Sequence, residues 1–403
     1  MTDIGRAPSL LPELVIDSFA GGGGASEGIQ LALGRGPDVA LNHDAHAVAV
    51  HHLNHPSALH LCQDILEVDP ASVCAGRRVG LLWASPDCRH FSRAKSGKPL
   101  DGKIRGLAWA IVGWAKAAAP RVIVVENVRE FLTWGPLDAD GKIIKERKGE
   151  TFRKWVGQFR REGYQVEWNV LRAHDFGAPT TRERLFVIAR NDGDSIVWPE
   201  PTHGDEEEGL KPFVPASACI DWSVMGRDVE TANYAAKTME RIEKGTAKYV
   251  LGDKHQRCVV KLPDGRLVAT WIARHYGGVV GRSANEPLST ITKKDHHGLV
   301  CTELVADKCG SVKVGRNKYR LGTTTHRMLE PRELANGMGF TDGYQMIGTK
   351  GDMTARIGNA VCPPLAKAIV SANYSPDHGD LNRGSIHTGF TTVYETKKEG
   401  VVL

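Results

Sequence analysis

The stretch Leu14-Val15-Ile16-Asp17-Ser18-Phe19-Ala20-Gly21-Gly22-Gly23-Gly24-Ala25-Ser26-Glu27-Gly28 decides the fold class. Its first six residues are an apolar run with the length of a buried strand. Four glycines then supply a turn, and the continuation to Leu33 has helical spacing. A strand carrying an acid, then a glycine-rich turn opening a helix, is a cofactor cradle, because glycine permits positive φ and close approach of a ligand to the backbone. Many α/β proteins share such a turn. A pyrophosphate-binding turn would carry G-x-G-x-x-G. Here Ser26 replaces the third glycine and Glu27 adds negative charge. A phosphate-free ligand with cationic groups, such as S-adenosylmethionine, suits the acid better than a dinucleotide does.

Outward from this turn, strand-like runs recur at 38–41, 79–84, 121–125 and 185–189, with helical stretches such as 44–53 between most of them. The alternation predicts an α/β fold: a doubly wound, mostly parallel sheet of Rossmann-like form. It breaks after Arg190. Turn residues then multiply, starting with the acidic linker Asp205-Glu206-Glu207-Glu208, and short β-like pieces follow at 267–271 and 288–292. Helical character returns at 330–336 and 364–372. The expected organisation is a cofactor-binding and catalytic domain over 1–190, completed by 325–376, with a smaller, irregular β-rich module over 191–324. A polar tail over 377–403 follows.

The 403 residues are 41% apolar and 25% charged, as in soluble globular proteins. No apolar run nears the roughly 20 residues that span a bilayer. The first residues lack the basic, apolar and small-residue succession of a secretion signal, so the expected location is the cytoplasm. The eight cysteines should stay reduced there, and none stands in C-x-x-C spacing, so no metal site is expected. His43, His46, His51, His52 and His55 read as a polar helix face rather than a metal site. The net charge of +5 is modest, but residues 254–320 hold thirteen Lys/Arg against five Asp/Glu. That imbalance fits a phosphate-contacting surface and a lysine-rich soluble face equally well.

Three further segments carry reactive residue types. Ala84-Ser85-Pro86-Asp87-Cys88-Arg89-His90-Phe91-Ser92 leaves an apolar strand. Cys88 therefore falls at the carboxyl edge of a parallel sheet, where such sheets bind ligands. Arg89 and His90 would stabilise a thiolate, although a lone cysteine is more often structural. Val122-Ile123-Val124-Val125-Glu126-Asn127-Val128 ends a strand on a carboxylate, which is costly to bury without a partner or a task. Capping of the next helix is the plain alternative. In Gly177-Ala178-Pro179-Thr180-Thr181-Arg182-Glu183-Arg184 two arginines alternate along an extended segment and so point the same way. They suit a phosphate or a carbonyl, or else a surface ion-pair array.

In this order the segments resemble the cytosine-5 DNA methyltransferase family, of bacterial or phage type. DSFAGGGGASEG is similar to its cofactor motif, ASPDCRHFS to its catalytic loop, VVENV to its glutamate motif and PTTRERLFVIA to its arginine motif. HRMLEPRELANGMGF resembles the helix after the recognition domain, and RIGNAVCPPLA the closing cofactor motif. The resemblance spans roughly 14–190 and 325–372. It implies that S-adenosylmethionine is the cofactor and duplex DNA the substrate. Cys88 would add to C6 of a flipped cytosine, Glu126 would engage N3 and the exocyclic amine, and Arg182 and Arg184 would lie near the base carbonyl and catalytic loop. Asp17, Phe19, Gly21, Gly23, Asn42, Asp64, Asn359 and Val361 would bind the cofactor, with Phe19 stacking on adenine and Asp64 near its amine.

The middle module would then be the target-recognition domain, with Ser92, Arg274 and Arg282 meeting DNA as base readers or phosphate contacts. A monomer without metal, working beside a restriction nuclease or prophage genes, completes the implied picture. The chain departs from the family pattern at several positions. Asp87 stands where proline precedes the cysteine, Asn42 where a glutamate is usual, His43 where an apolar ring packs, and Thr180 where glutamine is usual. Glu330, Asn336, Gly337 and Met338 also depart.

Three other classes stand beside this one. An RNA cytosine methyltransferase would share the fold, but the large module over 191–324 favours duplex DNA. Asp87 beside Cys88 motivates a cofactor-binding yet catalytically silent DNA-binding protein. A dinucleotide oxidoreductase fails on the glycine spacing and leaves Cys88 and Glu126 without a role.

Overall fold

Residues 12–87, 102–252, 256–276 and 278–376 are described by the structure, a computed structural model. The apolar runs of the first half become β1 (Leu14–Ser18), β2 (Val39–Leu41), β3 (Leu59–Leu61), β4 (Val79–Ala84), β5 (Val122–Asn127), β6 (Gln165–Arg172) and β7 (Glu183–Arg190). They form one sheet in the order β3-β2-β1-β4-β5-β7-β6. Pairing is parallel from β3 through β5, whereas β7 is antiparallel to both of its neighbours. The sequence pattern predicts a parallel β7. It runs the other way because the short link from β6 holds only a 3₁₀ turn (Ala173–Phe176), with no crossover helix of the length a parallel return needs.

Side chains alternate across this sheet, so each face has its own core. Val15, Leu81, Trp83, Val122, Val124, Phe186 and Ile188 face one side, and Leu14, Ile16, Leu82, Ile123, Val125, Leu185 and Val187 the other. The helices that cover it begin with α1 (Gly24–Leu33), α2 (Ala45–Asn54), α3 (Pro70–Cys74), α4 (Gly102–Ala118) and α5 (Glu150–Arg161). Asp44 caps α2 by accepting from the His46 and Ala47 amides, and Asp69 caps α3 with Pro70 at its first position. Because β1 hands on to β2 on one side and β4 to β5 on the other, the strand order reverses between β1 and β4. Doubly wound sheets bind ligands at the carboxyl ends of such a pair.

The second unit is antiparallel. It contains β8 (Arg227–Asp228), α6 (Ala236–Thr246), β9 (Cys258–Lys261), β10 (Leu267–Arg274), β11 (Gly281–Ser283), β12 (His297–Ala306), β13 (Val312–Val314) and β14 (Asn317–Met328). The order is β11-β10-β12-β14-β13, with β9 on β10 and β8 on β14. The long β12 and β14 give it a more regular spine than short pieces in the sequence imply. Residues 288–292 form no strand; Leu288 makes a single parallel bridge to Thr180.

The chain then returns to the first unit as α7 (Pro331–Met338), α8 (Lys350–Asn359) and α9 (Pro363–Asn373). Glu333, 1% exposed, fixes the return: Arg327 donates to both of its oxygens at 2.7 Å, and the Asp221 and Glu330 amides donate as well. α9 lies against α1 at Gly28, where a Cβ would overlap Ala366.

Candidate active site

Several residues expected at the cofactor end follow the parallel strands β1, β2 and β3. Phe19 takes a left-handed φ of 61°, unusual for a side chain of its size, and its ring is half-buried. Gly21 (φ 52°) and Gly23 (φ 81°) continue the turn. A Cβ on Gly23 would overlap the hydroxyl of Tyr344, which donates to the Gly22 carbonyl at 2.7 Å. Asp17 is fully buried; Ser26 Oγ donates to its Oδ2 at 2.6 Å, and burial pushes the carboxyl up to about 7. Asn42 follows β2 and accepts from the Asp44 amide at 2.9 Å. Asp64 follows β3, is exposed, and accepts from the Leu66 amide at 3.1 Å. The carbonyl of Val361 packs against Gly24 at the start of α1, and Asn359 is exposed at the end of α8.

The segments expected to carry the chemistry follow the carboxyl ends of β4 and β5. Asn127 Nδ2 donates to the Pro86 carbonyl at 3.1 Å and Trp83 Nε1 to Ser85 Oγ at 3.0 Å, which holds the start of the cysteine loop against β5. Cys88 and Ser92 lie outside the described residues. Glu126, 7% exposed, pairs with Arg184, whose Nε is 2.9 Å from its Oε1. Arg182 does not join them side by side as the alternation predicts. Its buried guanidinium donates to the carbonyls of Ile291 and Gly358 at 3.0 and 3.1 Å, joining the second unit to the end of α8. The divergence arises because Arg182 precedes β7, so strand alternation does not govern it. Burial pushes the Cys219 thiol up to about 12 and those of Cys301 and Cys362 to about 11, which leaves these three inert at neutral pH.

Residues 14–374 match the family described as C-5 cytosine-specific DNA methylase. The chain belongs to that family. It is thus an S-adenosylmethionine-dependent DNA (cytosine-5-)-methyltransferase by class. Among its relatives, the Type II methyltransferase M1.HphI of Haemophilus parahaemolyticus is 26% identical over 368 residues, which cover 89% of this chain and 85% of that protein. The Type II methyltransferase M.BspRI of Lysinibacillus sphaericus is 38% identical over 128 residues, covering 31% of this chain and 27% of that protein. A DNA modification methyltransferase encoded within a prophage of E. coli shares the fold with a TM-score of 0.54 at 17% identity, over 89% of this chain and 97% of that one.

In the second unit of the methylase, Arg274 and Arg282 line a cleft of about 220 Å³ with Lys248, Glu286, Ser289 and His297. Arg282 donates to the Pro287 carbonyl at 2.7 Å and lies 3.6 Å from Glu286. Arg274, by contrast, makes no side-chain hydrogen bond or ion pair among the described residues. Opposite it, Asp295 Oδ1 and His297 Nδ1 are 2.7 Å apart, and His297 Nε2 is 2.7 Å from Ser289 Oγ. Nothing in the sequence marks this row.

The histidines in and flanking α2 correct the expectation of a polar face. His43 and His46 are exposed, but His51 and His55 are 1% and 2% exposed. Among the described residues no group of three or more His, Cys, Asp or Glu side chains is arranged to hold a metal ion. Nor is any described helix long and apolar enough to cross a membrane.

Proposed function

We propose that this methylase moves a methyl group to C5 of a cytosine flipped out of duplex DNA, through a covalent bond between Cys88 and C6. The observation that carries this is the buried Glu126–Arg184 pair beside the anchored Pro86-Asp87 segment. C5 of cytosine is a poor nucleophile. Addition of the Cys88 thiolate at C6 pushes electron density into the ring, and Glu126 stabilises it at N3 and the exocyclic amine. Arg184 holds Glu126 in place for that contact, while Arg182 braces the segment from behind. S-adenosylmethionine, when bound, supplies the methyl group. Loss of the C5 proton and elimination of Cys88 then release the product. A stacked base cannot offer C6 to a thiolate, which is why flipping belongs to the proposal.

The cradle suits that cofactor: Phe19 offers a half-exposed ring for adenine, Gly21 and Gly23 line the methionine portion, and Asp17 lies beneath the turn. Asn42, Asp64, Asn359 and Val361 complete the set. The unit over 191–324 reads the target, with Arg274 and Arg282 at the duplex and Ser92 in the catalytic loop. The enzyme works in the cytoplasm as a monomer, and its likeness to Type II methyltransferases supports a place beside a restriction nuclease. The test is to incubate it with labelled S-adenosylmethionine and either duplex DNA or tRNA, using 5-fluorocytosine to trap the adduct. Label and a trapped adduct on DNA are expected. Label on tRNA alone would move the substrate to RNA, and a Cys88→Ser variant with full activity would dismiss the nucleophile.

A further inference from the structure

The buried histidines of α2 continue into the cofactor turn as one hydrogen-bonded row. Ser26 Oγ is 2.6 Å from Asp17 Oδ2, and His51 Nε2 is 2.8 Å from Ser26 Oγ. His51 Nδ1 is 2.8 Å from His60 Nε2, and the half-buried His52 closes the row with its Nδ1 3.5 Å from His60 Nδ1. Asp17, Ser26, His51 and His60 are each at most 2% exposed.

The chemistry of these groups fixes the direction of every bond. An ionised Asp17 only accepts, so Ser26 gives it its single hydroxyl proton. Ser26 must then accept from His51 Nε2–H. Burial and the neighbouring His55, His60 and His52 hold His51 neutral, which leaves its Nδ1 as an acceptor for His60 Nε2–H. All donors therefore point toward Asp17. Protonating Asp17 on its partnerless Oδ1 leaves Oδ2 a neutral and weaker acceptor for Ser26, so a row of donors aimed at Asp17 favours the ionised carboxyl.

A second observation ties it to the ligand site. Asp17 Oδ1 is buried with no hydrogen-bond partner, near the end of the strand that runs into the glycine turn. The other charged or titratable groups around this point are already engaged. Glu27 accepts from Thr341 at 2.6 Å, and Tyr344 donates to Gly22. Arg356 packs on Gly22 but donates to the Ile347 carbonyl, and His55 is bonded to Gln30 at 3.0 Å. Asp17 is thus the group whose charge can still respond to what docks on the turn.

We propose that Ser26, His51 and His60 are positioning residues that aim a one-way row of donors at Asp17 and so favour its ionised form under the turn that would hold the cationic cofactor. This rests on the assignment of S-adenosylmethionine to the turn. The discriminating pair is S-adenosylmethionine, with a positive sulfonium, and S-adenosylhomocysteine, which has the same amino-acid end but a neutral sulfur. Ionisation of Asp17 grows as pH rises through neutrality, so affinity for the sulfonium compound rises with it.

Titration calorimetry of the full chain from pH 6 to pH 8 reads this directly. Relative to S-adenosylhomocysteine, S-adenosylmethionine should gain about tenfold in affinity, the equivalent of a one-unit shift in the coupled group. Asp17→Asn should abolish the difference. His51→Phe, in a variant shown folded by its melting curve, should displace the rise to higher pH. His51→Gln, whose amide can both donate to Ser26 and accept from His60, should restore it. Parallel pH profiles for the two ligands in the wild type, or an unmoved profile in His51→Phe, would overturn the proposal while leaving the cofactor assignment intact. Failure of both ligands to bind would overturn the assignment and the proposal together.

Discussion

Removing Arg184 tests whether the Glu126 carboxylate is held by charge or merely by packing. Arg184→Met keeps most of the side-chain volume and deletes the guanidinium 2.9 Å from Glu126 Oε1. The two side chains retain 16% and 9% exposure, so the pair is mostly but not fully withdrawn from water. Deleting one partner of a buried pair costs about 3–5 kcal/mol, because the survivor is left as an uncompensated charge. The residual exposure places this case near the lower end, at about 3 kcal/mol. Glu126→Gln leaves an amide oxygen that still accepts from Arg184, so it should cost only about 1 kcal/mol. The double variant has no stranded carboxylate and should be more stable than Arg184→Met alone. Urea unfolding midpoints of the four proteins, with equal slopes, give the coupling. Turnover on DNA should fall by about two orders of magnitude or more in each single variant and stay low in the double. If the double variant instead loses the sum of the two single losses in stability, the ion pair does not hold Glu126 and the reasoning fails.

Other expectations follow from single contacts. Gly23→Ala should weaken S-adenosylmethionine binding by at least about tenfold, ~1.4 kcal/mol, because the site has φ 81° and no room beside the Tyr344 hydroxyl; calorimetry checks it, and Tyr344→Phe in the same background should recover part of the loss. Arg327→Met should destabilise by about 3–5 kcal/mol in urea unfolding, since Glu333 keeps 1% exposure and loses both charged contacts. Arg274→Ala should change which sites are methylated in a randomised DNA library, as expected of a guanidinium free to meet a base edge; uniform loss across all sites would make it a phosphate contact instead. Asp87→Pro should lower the Cys88 pKa by removing a neighbouring negative charge, measured as the pH dependence of thiol alkylation.

What the sequence made legible follows from where each segment lies. β1 and β4 are buried along their whole length and read as unbroken apolar runs. The edge strand β6 is mostly exposed, carries little apolar pattern, and escapes notice. The direction of β7 was hidden for a different reason: it depends on the link that precedes it, not on its own residues. Arg182 shows the same limit at the scale of one side chain, because alternation holds only inside a strand and this residue stands just before one. His51 and His55 are four residues apart, the spacing of one helix face, yet only the packing of β3 and α1 against that face reveals that it is buried.

The two arginines of one short segment hold different partners. Arg184 pairs with Glu126, whereas the buried guanidinium of Arg182 donates to carbonyls from two distant parts of the chain, Ile291 in the second unit and Gly358 at the end of α8. Gly358 stands three residues before Val361, whose carbonyl packs on the first turn of α1. A single side chain therefore mechanically joins the second unit, the arginine segment beside Glu126 and the return segment that closes on the glycine turn. A guanidinium suits this junction because its fixed fork reaches two acceptors at once. The addition to a base proposed for Cys88 requires all three pieces in register. In this methylase that register is built from buried backbone contacts, which local sequence patterns do not record.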